Sequence, residues 1–524
     1  MPRVIVVGGG LIGLATSLLI AKQGHDVTVL ERDPEPPPKT PEEATGDWAR
    51  PGVMQFRLVN FLLPRGRQLL DEHLPEVTAL LAAYPLWWLL GLADFMWILL
   101  AIPMAFRMAA WAAHGTRRIV APPGFGIWLL FLVAAGAGIM VLSLTAPGTV
   151  VSPVSHRILS YADRSLTYVG LTVLLLYVGN LTETELPRRR LGWLLGLIAV
   201  FATIGGLAAM AAPHLQFSSP ALLVLPKSVQ SNTFIQASMH PGLAQVQNVL
   251  GEAKGRPKAP FDYTNTWGDS LTITVPWLLA AWWAGGSRRQ RLIAGAATAL
   301  CILPLLYSLN RTSWIGAGLA VAYLAVRLAA RGRVAMLAGV CAALALVGIL
   351  VLATPLNSIV NGRLTSHKNS DNLRSTLDVL AVRDAAASPI LGYGDTRQQQ
   401  GSAKSIAVGP TAKCKNCGQQ EVGSTGQLWL LLVCDGFAGT ALYIGFFGYG
   451  VWRFRRDRSP YGIAGSVVLL LGFVYMLSYD AVGAPLGLTM LAYAMLWRND
   501  AARPPRADAA PILRKQRDAA RPVA

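Results

Sequence analysis

The sequence predicts a mostly α-helical, polytopic transmembrane bundle of about ten to twelve spans, preceded by a small, incomplete α/β Rossmann-like segment. Hydrophobic residues make up 53% of the chain and charged residues only 14%, whereas soluble domains carry about 25% charged residues. The apolar residues fall in long runs, and a glycine fingerprint lies near the N-terminus. We therefore expect three parts: residues 1–80, a transmembrane domain over 81–497, and a disordered basic tail over 498–524.

The first part has the pattern of a βαβ dinucleotide-binding unit. An apolar strand is followed by Gly8, Gly10 and Gly13 in the spacing G-x-G-x-x-G, then by a helix and a second strand that ends before Glu31. In this pattern the glycines make a tight turn, admit a pyrophosphate and let the helix pack closely, and the acid binds a ribose hydroxyl. The alternative is a first transmembrane helix, which three consecutive glycines and Lys22 fit poorly.

This segment resembles the N-terminus of flavin-dependent monooxygenases and related FAD oxidoreductases. The likeness continues through Asp47 to Gln55 and Phe61 to Leu70, and stops near residue 80. It implies FAD as a cofactor. Two strands cannot close a doubly wound sheet, and their edges and apolar faces would stay exposed. We therefore expect the segment alone to bind FAD poorly and to lack flavin oxidoreductase activity, as in a remnant of a gene fusion.

From Pro85 onward the chain has apolar runs of about 16–22 residues, close to the length needed to cross a bilayer, and the first of the clearer runs begins at Gly126. Basic clusters occur at every second loop, which predicts that those loops and the C-terminus are cytoplasmic. Residues 77–106 are apolar but interrupted by Pro85, Gly91, Asp94 and Pro103. We favour a helical hairpin here, which makes twelve spans; a single crossing is the alternative. The expected location is the cytoplasmic (inner) membrane of a bacterial-type cell.

The net charge of +18 does not indicate a nucleic-acid partner, because the basic residues lie mostly in short loops and in the tail. They are typical of the positive-inside pattern and of contact with anionic lipids. Cys414 and Cys417 form a CxxC pair in a polar loop. Structural zinc usually needs four ligands, so we expect no metal site and favour a disulfide if this loop lies outside the cytoplasm.

A long polar loop, residues 355–427, is predicted on the outer face. Arg311 to Trp314, Asn372 to Ser375, Pro389 to Gly394 and Thr425 to Gly439 contain short motifs in and around it. In order and topology, these pieces resemble the O-antigen ligase and polymerase superfamily. The resemblance covers roughly residues 85–497. It implies transfer of a glycan from a polyprenyl-diphosphate carrier to the hydroxyl of an acceptor glycan or lipid.

Arginines suit the departing diphosphate in such a reaction, because the planar guanidinium makes bidentate contacts with phosphate oxygens. The alternatives are an interfacial anchor for Arg311 and a solvated loop charge for Arg374. The family usually has a histidine before the span after the long loop, where this sequence has Ser424-Thr425-Gly426. The candidate catalytic residues are Arg311, Arg374, Arg363 and His367, with Asp371 or Glu421 as other substitutes for the missing histidine and with His240 and Asp269 as weaker candidates.

Three functions remain open from the sequence. The leading interpretation is a glycan ligase or polymerase whose membrane domain requires no cofactor. The second is a membrane-tethered FAD-dependent oxidoreductase that uses Gly8, Gly10, Gly13 and Glu31. The third is a glycolipid or ion transporter, although no internal repeat of the kind common in transporters is visible.

Overall fold

The computed structural model describes residues 3–7, 25–30, 76–151, 153–223, 225, 238–248, 253–354, 356–365, 368–400 and 419–502. The chain divides into two compact units, Met1–Pro75 and Glu76–Ala524. Helices dominate the described residues, and the N-terminal unit contributes a short pair of strands. The expectation of a mostly helical protein with a small strand-containing N-terminal segment is therefore confirmed.

The strand pair of the N-terminal unit is parallel. β1 (Arg3–Val7) pairs with β2 (Asp26–Leu30), and the register joins Val7 to Leu30. Parallel strands are normally covered on both faces. Here Ile5 is 60% exposed and Leu30 is 52% exposed, so these apolar side chains lack the cover that a complete doubly wound sheet gives.

The helical unit contains sixteen α-helices among its described residues. They are α1 (Glu76–Ala82), α2 (Tyr84–Leu89), α3 (Met96–Ala113), α4 (Phe125–Ala137), α5 (Ile158–Asn180), α6 (Arg188–Ala211), α7 (Thr264–Trp277), α8 (Arg288–Leu300), α9 (Ile302–Tyr307), α10 (Arg311–Ala329), α11 (Val334–Ala353), α12 (Leu356–Thr365), α13 (Lys368–Ala387), α14 (Gln427–Phe454), α15 (Pro460–Tyr475) and α16 (Ala484–Ala501). Two antiparallel pairs accompany them: β3 (Ala244–Asn248) with β4 (Ala253–Pro257), and β5 (Arg397–Gln400) with β6 (Gln419–Val422).

Residues 76–113 include the segment 77–106, for which a helical hairpin was predicted, and they fold as α1, α2 and α3. Of these three helices, α3 is long and apolar enough to cross a membrane. Glu76 begins α1, and both of its carboxylate oxygens accept hydrogen bonds at 3.0 Å from Arg107, near the end of α3. The Tyr177 hydroxyl donates a third bond at 2.7 Å. Because the two ends of the segment meet while the turn at Gly91 lies between them, α3 runs back along α1 and α2. The buried Glu76 is thus fully satisfied by its neighbours.

Among the described residues, six helices are long and apolar enough to cross a membrane. Two shorter apolar helices, Phe125–Val141 and Pro460–Tyr475, lie among them. The most apolar of the six is α11, which has no buried residue in its apolar window. This composition supports association with a membrane. The six helices are Met96–Ala113, Arg188–Ala211, Arg288–Tyr307, Arg311–Ala329, Val334–Ala353 and Gln427–Phe454.

The arginine-rich turns meet at one end of the helical unit, called here the basic end. Arg117 pairs with Glu185 at 2.9 Å, Arg498 with Glu183 at 2.9 Å, and Arg453 with Asp500 at 2.6 Å. These contacts join turns that are far apart in sequence. The turns are 107–118, 183–190, 285–291, 327–333, 453–458 and 498–500, and together they carry seventeen arginines and four carboxylates.

The charge of the helical unit is therefore sharply polarised. Glu76 aside, its described residues outside these turns include eleven basic and eleven acidic residues. The structure places the predicted basic loops on a common side.

The predicted loop 355–427 is not simply a loop. It contains α12 and α13, and β5 and β6 close its second half as an antiparallel pair. The polar residues of this segment form no apolar stripe, and the sequence therefore indicated a solvated loop. α13 is nevertheless helical because Leu377 and Ala381 pack against Val422 and Val433. Cys414 and Cys417 lie outside the described residues.

Candidate functional site

The carboxyl ends of β1 and β2 lie side by side, and the glycine fingerprint and its acid follow them in the sequence. Val7 and Leu30 are paired residues at the carboxyl ends of β1 and β2. Gly8 directly follows the first strand, and Glu31 directly follows the second. Dinucleotides bind outside the carboxyl ends of parallel strands. The pairing therefore fits the phosphate and ribose contacts predicted from the sequence; Gly8, Gly10, Gly13 and Glu31 themselves lie outside the described residues.

Arg311 lies at the start of α10, in a motif that builds the junction between two helices. Asn310 caps the helix by accepting a hydrogen bond at 3.1 Å from the Ser313 amide. The Ser313 hydroxyl donates to Asp269 of α7 at 3.0 Å, and Asp269 is only 2% exposed. The residues that drew attention to Arg311 thus have a clear structural role in joining α7 to α10.

Arg374 is also held by structural contacts. Its guanidinium donates to the Ser478 carbonyl at 2.9 Å and lies 5.1 Å from the centre of the Tyr479 ring. One turn later, Asp378 accepts a hydrogen bond at 2.6 Å from Thr425. These contacts fasten α13 to the turn after α15 and to the start of α14.

The structure describes few contacts for the other candidate catalytic residues. Arg363 lies in α12, but its side chain is outside the described residues, as is the side chain of Asp371. His367 is wholly outside them. Glu421 lies in β6 and accepts a hydrogen bond from the Thr396 hydroxyl. The catalytic roles that the sequence analysis assigned to these residues therefore remain untested by the structure.

A buried ion pair that the sequence analysis missed lies nearby. Arg164 of α5 pairs with Asp395 at 3.2 Å and also donates to the Gly394 carbonyl. The Ser160 hydroxyl donates to the second oxygen of Asp395 at 2.6 Å. The side chains of Arg164 and Asp395 are 11% and 6% exposed. The pair thus holds the segment after α13 firmly against α5.

The segment before Asp395 fills a break in α14. Gly436 has φ of 65° inside this helix, which frees nearby backbone groups. The Tyr393 and Gly394 amides donate to the Val433 and Cys434 carbonyls at 2.8 and 2.9 Å, and the Ala438 amide donates to Pro389 at 3.0 Å. Buried backbone groups must be hydrogen-bonded to be tolerated, and this segment supplies partners for those that the break in α14 frees.

Arg397 lies in the same group of buried residues as Arg164 and Asp395. It is 1% exposed, and its guanidinium donates to the carbonyls of Leu142, Leu144, Tyr393, Asp395 and Thr396. Burial lowers the pKa of Arg397 to about 10. A signal for this cluster was present in the sequence: Arg164 stands at the edge of an apolar run, and charges inside apolar segments are costly unless they are paired.

The structure also brings two buried carboxyl groups together. Asp94, in the turn before α3, and Asp262, in the turn before α7, share a hydrogen bond. Ser238 donates to Asp94 at 3.1 Å. Burial is the main cause of a raised pKa for both carboxyls, and the charge of Asp94 raises the pKa of Asp262 further, against a smaller opposing effect of Lys258. The pair thus retains a proton that a solvated pair would release.

This proton should make stability depend on pH. The folded pKa values are raised, so between about pH 4 and those values the folded state binds more protons than the unfolded state. Stability should then fall as pH rises through this window and level off above it. We expect Asp262→Asn to flatten the decline, since an amide can donate to Asp94 as the protonated acid does. The measurement is the free energy of unfolding in mixed micelles against pH.

Gln398→Asn, at an exposed position of β5, leaves every carboxyl group in place; it serves as the control and should keep the wild-type pH dependence. An unchanged slope in Asp262→Asn would show that the carboxyl pair is not the titrating group.

Comparison with known proteins bears on the N-terminal segment. Residues 3–89 match the FAD dependent oxidoreductase family. The D-amino acid dehydrogenase of Methylobacterium nodulans is 36% identical over 75 residues, which cover 13% of this chain and 18% of that protein. The same enzyme of Rhizobium johnstonii is 39% identical over 59 residues, covering 10% and 14%. That of Vibrio cholerae is 32% identical over 83 residues, covering 14% and 18%.

This chain therefore spans less than one fifth of the length of these relatives. No solved structure matches it. The family match extends past Pro75 into the helical unit, where it includes α1 and α2. Val77, Leu80 and Leu81 of α1 are fully buried there.

These findings correct two predictions. The glycan ligase or polymerase function is wrong, because the similarity found is to FAD oxidoreductases and supports the second interpretation instead. The short motifs behind the ligase interpretation have structural roles here, as Arg374 and the segment 389–394 show. The glycan donor and acceptor were expected only as partners of that reaction, and nothing in the structure tests them.

The second correction concerns the cofactor. From the sequence, we expected that the membrane domain requires no cofactor and that the N-terminal segment binds FAD poorly. The match of residues 3–89 to an FAD-dependent family indicates FAD binding instead. That expectation gave too much weight to the missing strands. The paired strands are present, and in dinucleotide-binding folds the phosphates bind beside the carboxyl end of the first such strand.

Proposed function

We propose that this chain is a membrane-bound, FAD-dependent oxidoreductase. The observation that carries the proposal is the parallel pairing of β1 with β2, which ends at Val7 and Leu30, the residues directly before Gly8 and Glu31 in the sequence. The family match over residues 3–89 supports it. When bound, FAD supplies two-electron oxidation of an organic substrate.

The residues of this chain would bind and orient the cofactor. Gly10 carries no side chain, so the backbone can approach the pyrophosphate closely, and Glu31 can accept hydrogen bonds from ribose hydroxyls. The named relatives are D-amino acid dehydrogenases, so D-amino acids are the first substrates to test. The matched region includes the cofactor fingerprint.

The test is flavin content after purification of the full chain. We expect wild-type protein to carry FAD, identified after release by denaturation, and Gly10→Val to carry at least about tenfold less, since a branched side chain would meet the pyrophosphate. Gly9→Ala is the matched control, because Gly9 is an unconstrained position of the fingerprint. Wild-type protein that stays free of flavin even after incubation with FAD would overturn the proposal.

We further propose that the basic end faces the cytoplasm. Its seventeen arginines in short turns, against a balanced charge elsewhere in the described unit, support this orientation. Glu76 lies at this end, so the chain enters the helical unit from the cytoplasmic side. A reporter enzyme inserted at Gly332, in the exposed turn between α10 and α11, should be active only in the cytoplasm. Activity only outside the cytoplasm would contradict this orientation.

A further inference from the structure

An exposed basic surface lies at the basic end where α6 and α8 begin. It is formed by Arg189, Arg190, Arg288 and Arg289, with Trp283 beside them, and is called here the α6–α8 surface. The Arg189 guanidinium donates to the Gly285 carbonyl at 3.0 Å, which joins the start of α6 to the turn before α8. The arginines from two helices are thereby held on a common surface.

The charge of this surface is not neutralised by the described protein. Arg188, beside it, is already paired with Glu183 at 2.9 Å. Arg190, Arg288 and Arg289 are exposed and form no ion pair with described residues. Three unpaired guanidinium groups and Arg189 thus leave a concentrated positive charge that can be met by an anion.

Apolar side chains continue the surface toward the middle of the helical unit. Trp283 is 50% exposed and Leu292 is 66% exposed. A Cβ atom built at Gly295 would lie 2.9 Å from the Trp283 ring, so the indole lies along α8. Leu292 follows Arg288 by four residues and Arg289 by three, which places it on the same helix face. The surface is therefore cationic at its outer edge and apolar below.

We propose that the α6–α8 surface binds an anionic phospholipid. Guanidinium groups bind phosphate oxygens with bidentate hydrogen bonds, and tryptophan favours the level of the headgroups. Basic pockets between transmembrane helices on the cytoplasmic side are suited to anionic headgroups. The exposed Trp283 and Leu292 favour a lipid over a free anion, because only a lipid brings an acyl chain to cover them. This site is independent of the flavin segment.

The test uses the full chain in detergent, titrated with phosphatidylglycerol or with phosphatidylcholine of the same acyl chains. Binding is followed by quenching of tryptophan fluorescence with brominated acyl chains. The chain has 15 tryptophans, so the quenching specific to this site is the difference between wild type and Trp283→Phe. We expect phosphatidylglycerol to bind at least about tenfold more tightly than phosphatidylcholine.

Two triple variants, each of which removes three positive charges, distinguish a specific lipid site from general electrostatic attraction to the basic end. Arg190→Gln/Arg288→Gln/Arg289→Gln should lose at least about tenfold in affinity for phosphatidylglycerol. The control is Arg118→Gln/Arg455→Gln/Arg456→Gln, which removes three exposed arginines elsewhere at the basic end and should retain the wild-type affinity. Thermal melting of both variants checks that they fold.

Three results would overturn the proposal. Equal losses in the two triple variants would indicate general attraction to the basic end, and equal affinity for both lipids would indicate that charge is irrelevant. Displacement of phosphatidylglycerol by inorganic phosphate at equal concentration would show that the surface takes the phosphate group alone.

Discussion

Replacing Asp395 with alanine is expected to lower the free energy of unfolding of the helical unit by about 3–5 kcal/mol. The substitution would leave Arg164 buried beside a cavity, with the Gly394 carbonyl as its remaining acceptor. Removing one partner of a buried ion pair is costly because the other charge stays desolvated and uncompensated. Ser160 would also lose the bond it donates to the Asp395 carboxylate. Denaturation in mixed micelles, followed by far-UV circular dichroism, measures the loss.

A double substitution distinguishes loss of the ion pair from simple loss of packing. Arg164→Met/Asp395→Leu replaces both charges with apolar side chains, and we expect it to be more stable than Asp395→Ala. Arg383→Gln, at an exposed position of α13, is the control and should change stability by less than about 0.5 kcal/mol. If Asp395→Ala proves as stable as Arg383→Gln, the ion pair does not fasten the segment after α13.

The fold was predictable where a local pattern determines it. The apolar runs identified the main helices, and the interruptions at Pro85 and Gly91 mark the start of the short helix α2 and the turn before α3. The strands on either side of the glycine fingerprint were visible because strand, turn and helix signals occur there in close succession. These features depend on residues near one another in the chain.

The contacts between distant segments were not predictable in the same way. Arg164 and Asp395 are 231 residues apart, and no local pattern links them. The break at Gly436 is hidden inside a continuous apolar run, and only the structure shows that residues 389–394 satisfy the freed backbone. Short motifs in this region resembled those of a ligase, since glycines and arginines that fasten a turn have the same residue types as those that bind a phosphate.

The motifs behind the predicted site residues differed in how many constraints they combined. The fingerprint from Gly8 to Gly13 combines several constraints within one βαβ unit, and the family match supports the cofactor that it implied. Arg311 and Arg374 rested on shorter motifs with fewer constraints. Arg374 proved to bind a backbone carbonyl and an aromatic ring, which a single arginine in a polar stretch cannot reveal.

The second large effect is expected for Gly392→Ala, which should destabilise the helical unit by more than about 3 kcal/mol. Gly392 has φ of 61°, a conformation that costs other residues about 1–2 kcal/mol. A Cβ atom there would also lie 2.5 Å from the Val433 carbonyl oxygen and 2.7 Å from the Asp435 amide nitrogen. These are backbone atoms at the break in α14, so the collision cannot be relieved by turning a side chain.

Gly148→Ala separates the two contributions, because Gly148 has a similar φ of 74° but its nearest neighbour, the Gln399 amide nitrogen, lies 3.9 Å from the added Cβ. The free energy of unfolding of this control should therefore fall only by the conformational cost of a positive φ, about 1–2 kcal/mol. Unfolding in mixed micelles gives both values under the same conditions. The difference between the two losses in free energy of unfolding measures how closely residues 389–394 must approach α14. Equal losses in the two variants would mean that the segment moves aside at little cost, and that the broken helix does not depend on it.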